Sequence, residues 1–216
     1  MAQTPLLNRN LASPLALPFT WQPGEHMTVV GDTGSGKSTL VSRLLSLRRY
    51  VLVLRSKPDD VTYQAQRTQR ARAMTDARVN RVELAPRNRR SQEAEFGRAL
   101  DLAYRQGGWT VYVDELFYVD QKLGLSEQID ELLTQGRSLG ITVVCGIQRP
   151  VQVTRFAMAE SVHLLSFGLE GRDVKTLNEV APRLASEVPL LERYQFAWYH
   201  RRSKGMWVGR VQDLEG

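Results

Sequence analysis

Short apolar runs and longer amphipathic stretches alternate along the chain. Met27–Val30 is an apolar run that enters a glycine-rich turn. After the turn, Leu40, Val41, Leu44, Leu45 and Leu47 recur at close to the spacing of one helix face, which predicts a helix over 37–47. Residues 50–54 predict a strand, stopped at Lys57-Pro58-Asp59-Asp60. Another strand is expected near 79–84. Residues 91–106 read as a helix that ends at Gly107-Gly108. Thr110–Val113 is strand-like. Residues 126–139 are helical, with Ile129, Leu132, Leu133 and Leu139 apolar, and stop at Gly140. Buried strands follow at 141–147 and 161–167, closed by Pro150 and Gly168. Residues 171–181 predict a helix. Finally, 193–200 and 206–211 read as two strands around Arg202-Ser203-Lys204-Gly205. Strands alternating with helices predict an α/β fold: a mostly parallel sheet with helices on both faces, plus a C-terminal β-hairpin over 193–212. The first 24 residues, with Pro5, Pro14 and Pro18, are expected to form an irregular strap over this core.

Composition narrows the class. The 216 residues suit a single domain, 1–216, with appendages. At 42% hydrophobic and 24% charged residues, the chain can build a core and is too apolar to be disordered throughout. No run approaches the roughly 18 apolar residues of a membrane helix. The N-terminus lacks a basic segment followed by an apolar one, so no secretory signal is expected. Cys145 is the one cysteine, which excludes an intrachain disulfide and fits a reducing compartment. The net charge is +6, and residues 61–92 account for it: arginines at 67, 70, 72, 78, 81, 87, 89 and 90 are set against only Asp76 and Glu83. Such an excursion suits a polyanion partner; its plain alternative is a solvated arginine-rich surface.

Three motifs carry chemistry. Gly31-Asp32-Thr33-Gly34-Ser35-Gly36-Lys37-Ser38, followed by Thr39, has the spacing of a phosphate-binding loop between a strand and a helix. Its glycines let backbone N–H groups wrap a phosphate, and the next helix adds its positive end. Lys37 then reaches the β- and γ-phosphates while the Ser38 hydroxyl ligates Mg²⁺. The second motif is Thr110-Val111-Tyr112-Val113-Asp114-Glu115, an apolar strand ending in two acids. Asp114 can support the metal, and Glu115 can deprotonate an attacking water. The third is Gly136-Arg137-Ser138-Leu139-Gly140-Ile141, then a buried strand, then Gln148-Arg149-Pro150. Gln148 at that strand's end can sense a γ-phosphate, or simply cap the strand.

Together the three motifs resemble the FtsK/HerA superfamily of ring-forming ATPases, over roughly residues 25–180. The G-R-S-L-G-I and Q-R-P block is the discriminating part, and the compactness is similar to that of the genome-packaging ATPases of membrane-containing viruses. The resemblance implies a RecA-like P-loop ATPase core, with an extra strand between the phosphate-loop strand and the acidic strand. It implies ATP and Mg²⁺ as cofactors. It implies double-stranded DNA as substrate and a homo-oligomeric ring, pentamer or hexamer, with capsid or viral membrane proteins at a portal vertex as further partners. It places the chain in the host cytoplasm and on the virion. By motif it makes Glu115, Lys37 and Gln148 catalytic, with Arg137 acting across a subunit boundary. Gly31 to Thr39 bind nucleotide, and Ser38 and Asp114 hold metal. The sequence departs from the family at Ile147, where members often carry threonine before the glutamine.

Rival readings are a plasmid or mobile-element DNA-transfer ATPase, a phosphotransferase using the same loop, and a DNA-binding module whose ATP site is structural. Tyr194, Phe196 and Trp198 alternate as a strand packing one face inward would, although aromatics among cations also suit base stacking. His26, His163 and His200 have no zinc spacing. The segment from Leu116 to Lys122 reads either as a turn packing Phe117 on the core or as a loop bringing Lys122 to DNA.

Overall fold

The computed structural model describes residues 17–57 and 62–214. Most of the expected N-terminal strap, and residues 58–61, lie outside these described residues. Nine strands form one sheet in the order β3-β4-β2-β5-β6-β1-β7-β8-β9. Seven run parallel: β1 (Met27–Val30), β2 (Val51–Leu54), β3 (Gln66–Thr68), β4 (Arg81–Leu84), β5 (Thr110–Val113), β6 (Thr142–Ile147) and β7 (His163–Phe167). The hairpin of β8 (Gln195–His200) and β9 (Gly205–Arg210) joins β7 antiparallel.

Every residue of β1, β2, β5 and β6 is buried. Helices cover both faces of these parallel strands, so their sequences are continuous apolar runs rather than alternating ones. The alternation is instead between two apolar cores. Leu52, Leu54, Val111, Val113, Val143 and Cys145 face one core, together with helices α2 (Arg89–Gln106) and α3 (Ser126–Gln135). Val51, Val53, Tyr112 and Val144 face the other, against Leu40, Val41, Leu44 and Leu45 of α1 (Lys37–Ser46). The remaining helices are α4 (Phe156–Glu160), α5 (Gly171–Val180) and α6 (Pro182–Glu187). Among the described residues no helix is long and apolar enough to cross a membrane.

The strand order places β6 between β1 and β5, as the resemblance implies. In register, Val30 stands opposite Ile147 and Val113 opposite Cys145, so the segments after all three strands leave at one sheet edge. Gly146 makes this closeness possible: a Cβ there would sit 2.3 Å from the Asp114 carbonyl oxygen.

Several expectations need correction. β3 is a polar edge strand that no apolar pattern announces. α2 begins two residues early because Asn88 caps it, accepting from Ser91 N–H while the Ser91 hydroxyl accepts from Asn88 N–H. The helix expected over 126–139 is α3 followed by a 3-10 turn, Gly136–Leu139, which ends at a left-handed Gly140. The short α4 and α6 have no counterpart in the sequence reading. Phe196 and Trp198 are fully buried on β8, but Tyr194 precedes the strand and is 47% exposed.

Candidate active site

The segment between β1 and α1 turns twice through left-handed glycines, Gly34 at φ 80° and Gly36 at φ 101°. Gly36 caps α1 without a side-chain hydrogen bond, and no acid lies in the first helical turn. Free N–H groups and the positive end of the helix dipole therefore meet at this loop. The Ser35 hydroxyl is buried there with no hydrogen-bond partner among the described residues. A phosphate oxygen is the kind of acceptor this arrangement lacks. Lys37 is buried beside it. Burial pulls its ammonium below the usual lysine range, against the opposing pull of Asp114 and Glu115.

The two acids end β5, each 7% exposed. The Tyr112 hydroxyl donates to Asp114 Oδ1 at 2.9 Å, and Ser56 Oγ lies 3.5 Å from Oδ2. Glu115 Oε2 accepts from Lys57 Nζ at 3.2 Å. Ser56 and Lys57 follow β2, the neighbour of β5 in the sheet. Tyr63 lies tilted against Tyr112 with ring centroids 5.7 Å apart, its buried hydroxyl near Ser38 without a hydrogen bond of good geometry among the described residues. Burial raises the pKa of both tyrosines, so both stay neutral and Tyr112 serves as a donor. Asp114 and the Ser38 hydroxyl offer hard oxygen ligands of the kind Mg²⁺ takes, so the residues present fit that ion.

Gln148 follows β6, half-buried, between the loop after β1 and the acids after β5. Arg149, next to it, pairs with Asp173 at 3.0 Å. Arg137 stands apart. It is exposed in the turn before β6, at the opposite sheet edge from Gln148, and packs on Gly24. A six-residue strand separates the two, about 20 Å. Arg137 therefore reaches no reacting group of its own chain.

Lys57, Tyr112, Tyr63 and Arg149 stand at the site without a role expected from the sequence. A tyrosine hydroxyl two residues before the acid, inside an otherwise apolar strand, was the signal available for Tyr112.

The basic excursion is not one uniform patch. Arg55 and Arg67 share the buried Glu83 at 2.5 and 2.7 Å. Arg70 and Arg98 share Glu95 at 3.1 and 2.8 Å. Arg78 pairs with Asp76, and Arg81 donates to the carbonyls of Leu45, Arg48, Tyr63 and Gln64. Arg89 donates to the Lys122 carbonyl, and Lys122 itself lies 5.1 Å over the Phe117 ring. Only Arg72, Arg87 and Arg90 of the eight are exposed with no ion pair or side-chain hydrogen bond among the described residues.

Glu25, His163 and His200 come within ligand distance of one another. However, His163 Nδ1 accepts from the Trp198 indole at 3.1 Å, which leaves its proton on Nε2, facing Glu25 at 3.2 Å. Glu25 also pairs with Arg202. The cluster is a closed hydrogen-bond network without a free lone pair on His163. Burial pushes the Cys145 thiol up to about 12, so it is inert packing.

No protein-family model matches the chain. The DNA packaging ATPase P9 of Enterobacteria phage PRD1 is 28% identical over 199 residues, which cover 81% of this chain and 82% of that protein. The genome packaging NTPase B204 from Sulfolobus turreted icosahedral virus 2, in complex with AMP, superposes with a TM-score of 0.73 at 17% identity, over 88% of this chain and 98% of that one. The plasmid coupling protein TrwB, with a non-hydrolysable GTP analogue, superposes with a TM-score of 0.64 at 12% identity, over 95% and 90% of the two chains. In sequence the chain is thus a relative of the PRD1 packaging ATPase, and in fold it is a RecA-like P-loop NTPase of the kind its FtsK/HerA resemblance implies.

Proposed function

We propose that this chain is an ATP-hydrolysing motor that moves double-stranded DNA, and that its task is viral genome packaging. The observation that carries the reading is the convergence at one sheet edge of the phosphate-binding loop, the acid pair and Gln148. Relatedness to the PRD1 packaging ATPase favours packaging over plasmid transfer.

The roles follow from position. Backbone N–H groups of the loop from Gly31 to Thr39 hold the triphosphate, with Lys37 on its β- and γ-phosphates. Ser38 and Asp114 would hold Mg²⁺, which when bound neutralises charge on the phosphate oxygens. Tyr112 and Ser56 fix the Asp114 carboxylate, and Lys57 fixes that of Glu115. Glu115 takes the proton of the attacking water as its oxygen bonds the γ-phosphorus and ADP departs. Gln148 lies between base and phosphate and reports which nucleotide is present. Arg137, remote from its own loop, serves a neighbouring subunit in a pentameric or hexameric ring. The sheet and its helices act as one motor domain. Capsid or viral membrane proteins at a portal vertex are its partners, and it works in the host cytoplasm and on the virion.

Displacement of a third strand from a DNA triplex tests transport directly. Wild type with ATP strips the third strand, whereas Lys37→Ala does not. A wild type that hydrolyses ATP without displacing the strand would sink the motor reading.

A further inference from the structure

A cavity of ≈ 590 Å³ opens beside the phosphate-binding loop, on the flank away from the acids. Asp32 and Ser35 line one end; Phe167, Leu191 and Tyr194 line it further on, together with charged residues that include Glu170 and Arg193. The position follows from topology. β7 lies on the other side of β1 from β6, and β8 runs antiparallel to β7, so the end of β7 and the approach to β8 share the edge that carries the loop.

Tyr194 is the unusual member. Its φ is 65°, a left-handed conformation that is rare for a bulky residue. A turn holds it there: Gln195 N–H donates to the Glu192 carbonyl at 3.0 Å, and Glu192 N–H donates to Gln195 Oε1 at 2.9 Å. The residue is 47% exposed, yet its ring Cδ1 lies 3.8 Å from where a Cβ of Gly36 would be. Strain of this kind gathers at ligand sites. Nothing in core packing accounts for it, since the neighbouring Phe196 and Trp198 fill the core without it.

We propose that this cavity seats the nucleobase of the bound nucleotide and that Tyr194 stacks on it. The inference rests on reading residues 31–38 as the triphosphate site. A nucleotide held there by its phosphates has the acids on one flank and this cavity on the other. The volume lies within the roughly 300–1,000 Å³ of small-molecule sites, and the lining mixes apolar and polar groups as a nucleoside requires. The cavity's buried acid, Asp173, is engaged by Arg149 and by Val151 N–H, and Glu192 by Arg210. Stacking on Tyr194 holds the base whichever polar contacts the lining Glu170 and Arg193 add. Because every base has a π-face, adenine and guanine are accepted alike.

Calorimetric binding of ATP, GTP and inorganic tripolyphosphate, each with Mg²⁺, tests this. Tyr194→Ala weakens both nucleotides by roughly 5- to 150-fold and leaves tripolyphosphate unchanged, while Tyr194→Phe binds all three as wild type does. Nucleotide binding unchanged in Tyr194→Ala overturns the proposal. So does an equal loss for tripolyphosphate, and a loss confined to one base overturns stacking as the mode. Lys37→Ala separates the two readings. If it loses all three ligands while Tyr194→Ala loses none, only the base seat is wrong; if it binds all three as wild type does, the triphosphate site itself is wrong.

Discussion

At the scale of single residues, the site is held by groups that touch no nucleotide. Asp114 is buried, and the Tyr112 hydroxyl satisfies one of its oxygens. Replacing Tyr112 by Phe keeps the ring and its packing but leaves that oxygen unpaired and the carboxylate free to turn. Partners of this kind are worth roughly 10- to 100-fold in metal affinity. Tyr112→Phe should therefore raise the Mg²⁺ concentration needed for half-maximal ATP binding by at least about tenfold, with a modest fall in thermal midpoint from the unpaired oxygen. A metal titration at fixed ATP reads this, and an unchanged requirement would reduce Tyr112 to packing. The phosphate loop and the acid pair were legible in the sequence because their chemistry depends on local spacing. Lys57 and Ser56 were not, because their contacts exist only once β2 lies beside β5. Tyr194 was misread because period-two alternation extends one residue past the true start of β8.

Among the elements, burial decided what could be read. β1, β5 and β6 are continuous apolar runs because both of their faces are covered. β3 has no such pattern; its tie to the fold is backbone pairing with β4 and the Arg67–Glu83 ion pair. The same point divides the arginines of the excursion between β2 and α2. Arg81 ties together the end of α1 and the 63–64 segment through carbonyl oxygens, so its loss should destabilise the fold rather than weaken DNA binding. Arg87 and Arg90 have no such duty and flank the start of α2, at the sheet edge that carries the loop. If they meet DNA phosphates, replacing both by Ala lowers the slope of log affinity against log salt by up to about 1.8. Binding titrations between low and moderate salt measure that slope. An unchanged slope would assign these two residues to solvent or to a protein partner.

On the scale of the whole molecule, one catalytic candidate does not fit its own chain. Arg137 and Gln148 belong to one sequence block yet end up at opposite ends of β6, a separation that sequence adjacency concealed. A guanidinium that stabilises phosphoryl transfer is worth roughly 10³–10⁵ in rate, so its absence from a lone subunit is costly. Arg137→Ala should be nearly inactive. Mixing it with Lys37→Ala should restore part of the turnover at interfaces that pair an intact Lys37 with an intact Arg137. Full activity of Arg137→Ala alone, or no rescue on mixing, would return Arg137 to a local role at the end of α3 and its 3-10 turn.

In the proposed motor, one sheet edge hydrolyses ATP in response to DNA. Steady-state ATP turnover of wild type and Glu115→Gln, each with and without double-stranded DNA, tests it most directly. DNA should accelerate the wild type, and Glu115→Gln should bind ATP but turn it over at least a hundredfold more slowly, about the low end of what a general base contributes. Wild-type turnover indifferent to DNA, or hydrolysis by Glu115→Gln at the wild-type rate, would contradict it.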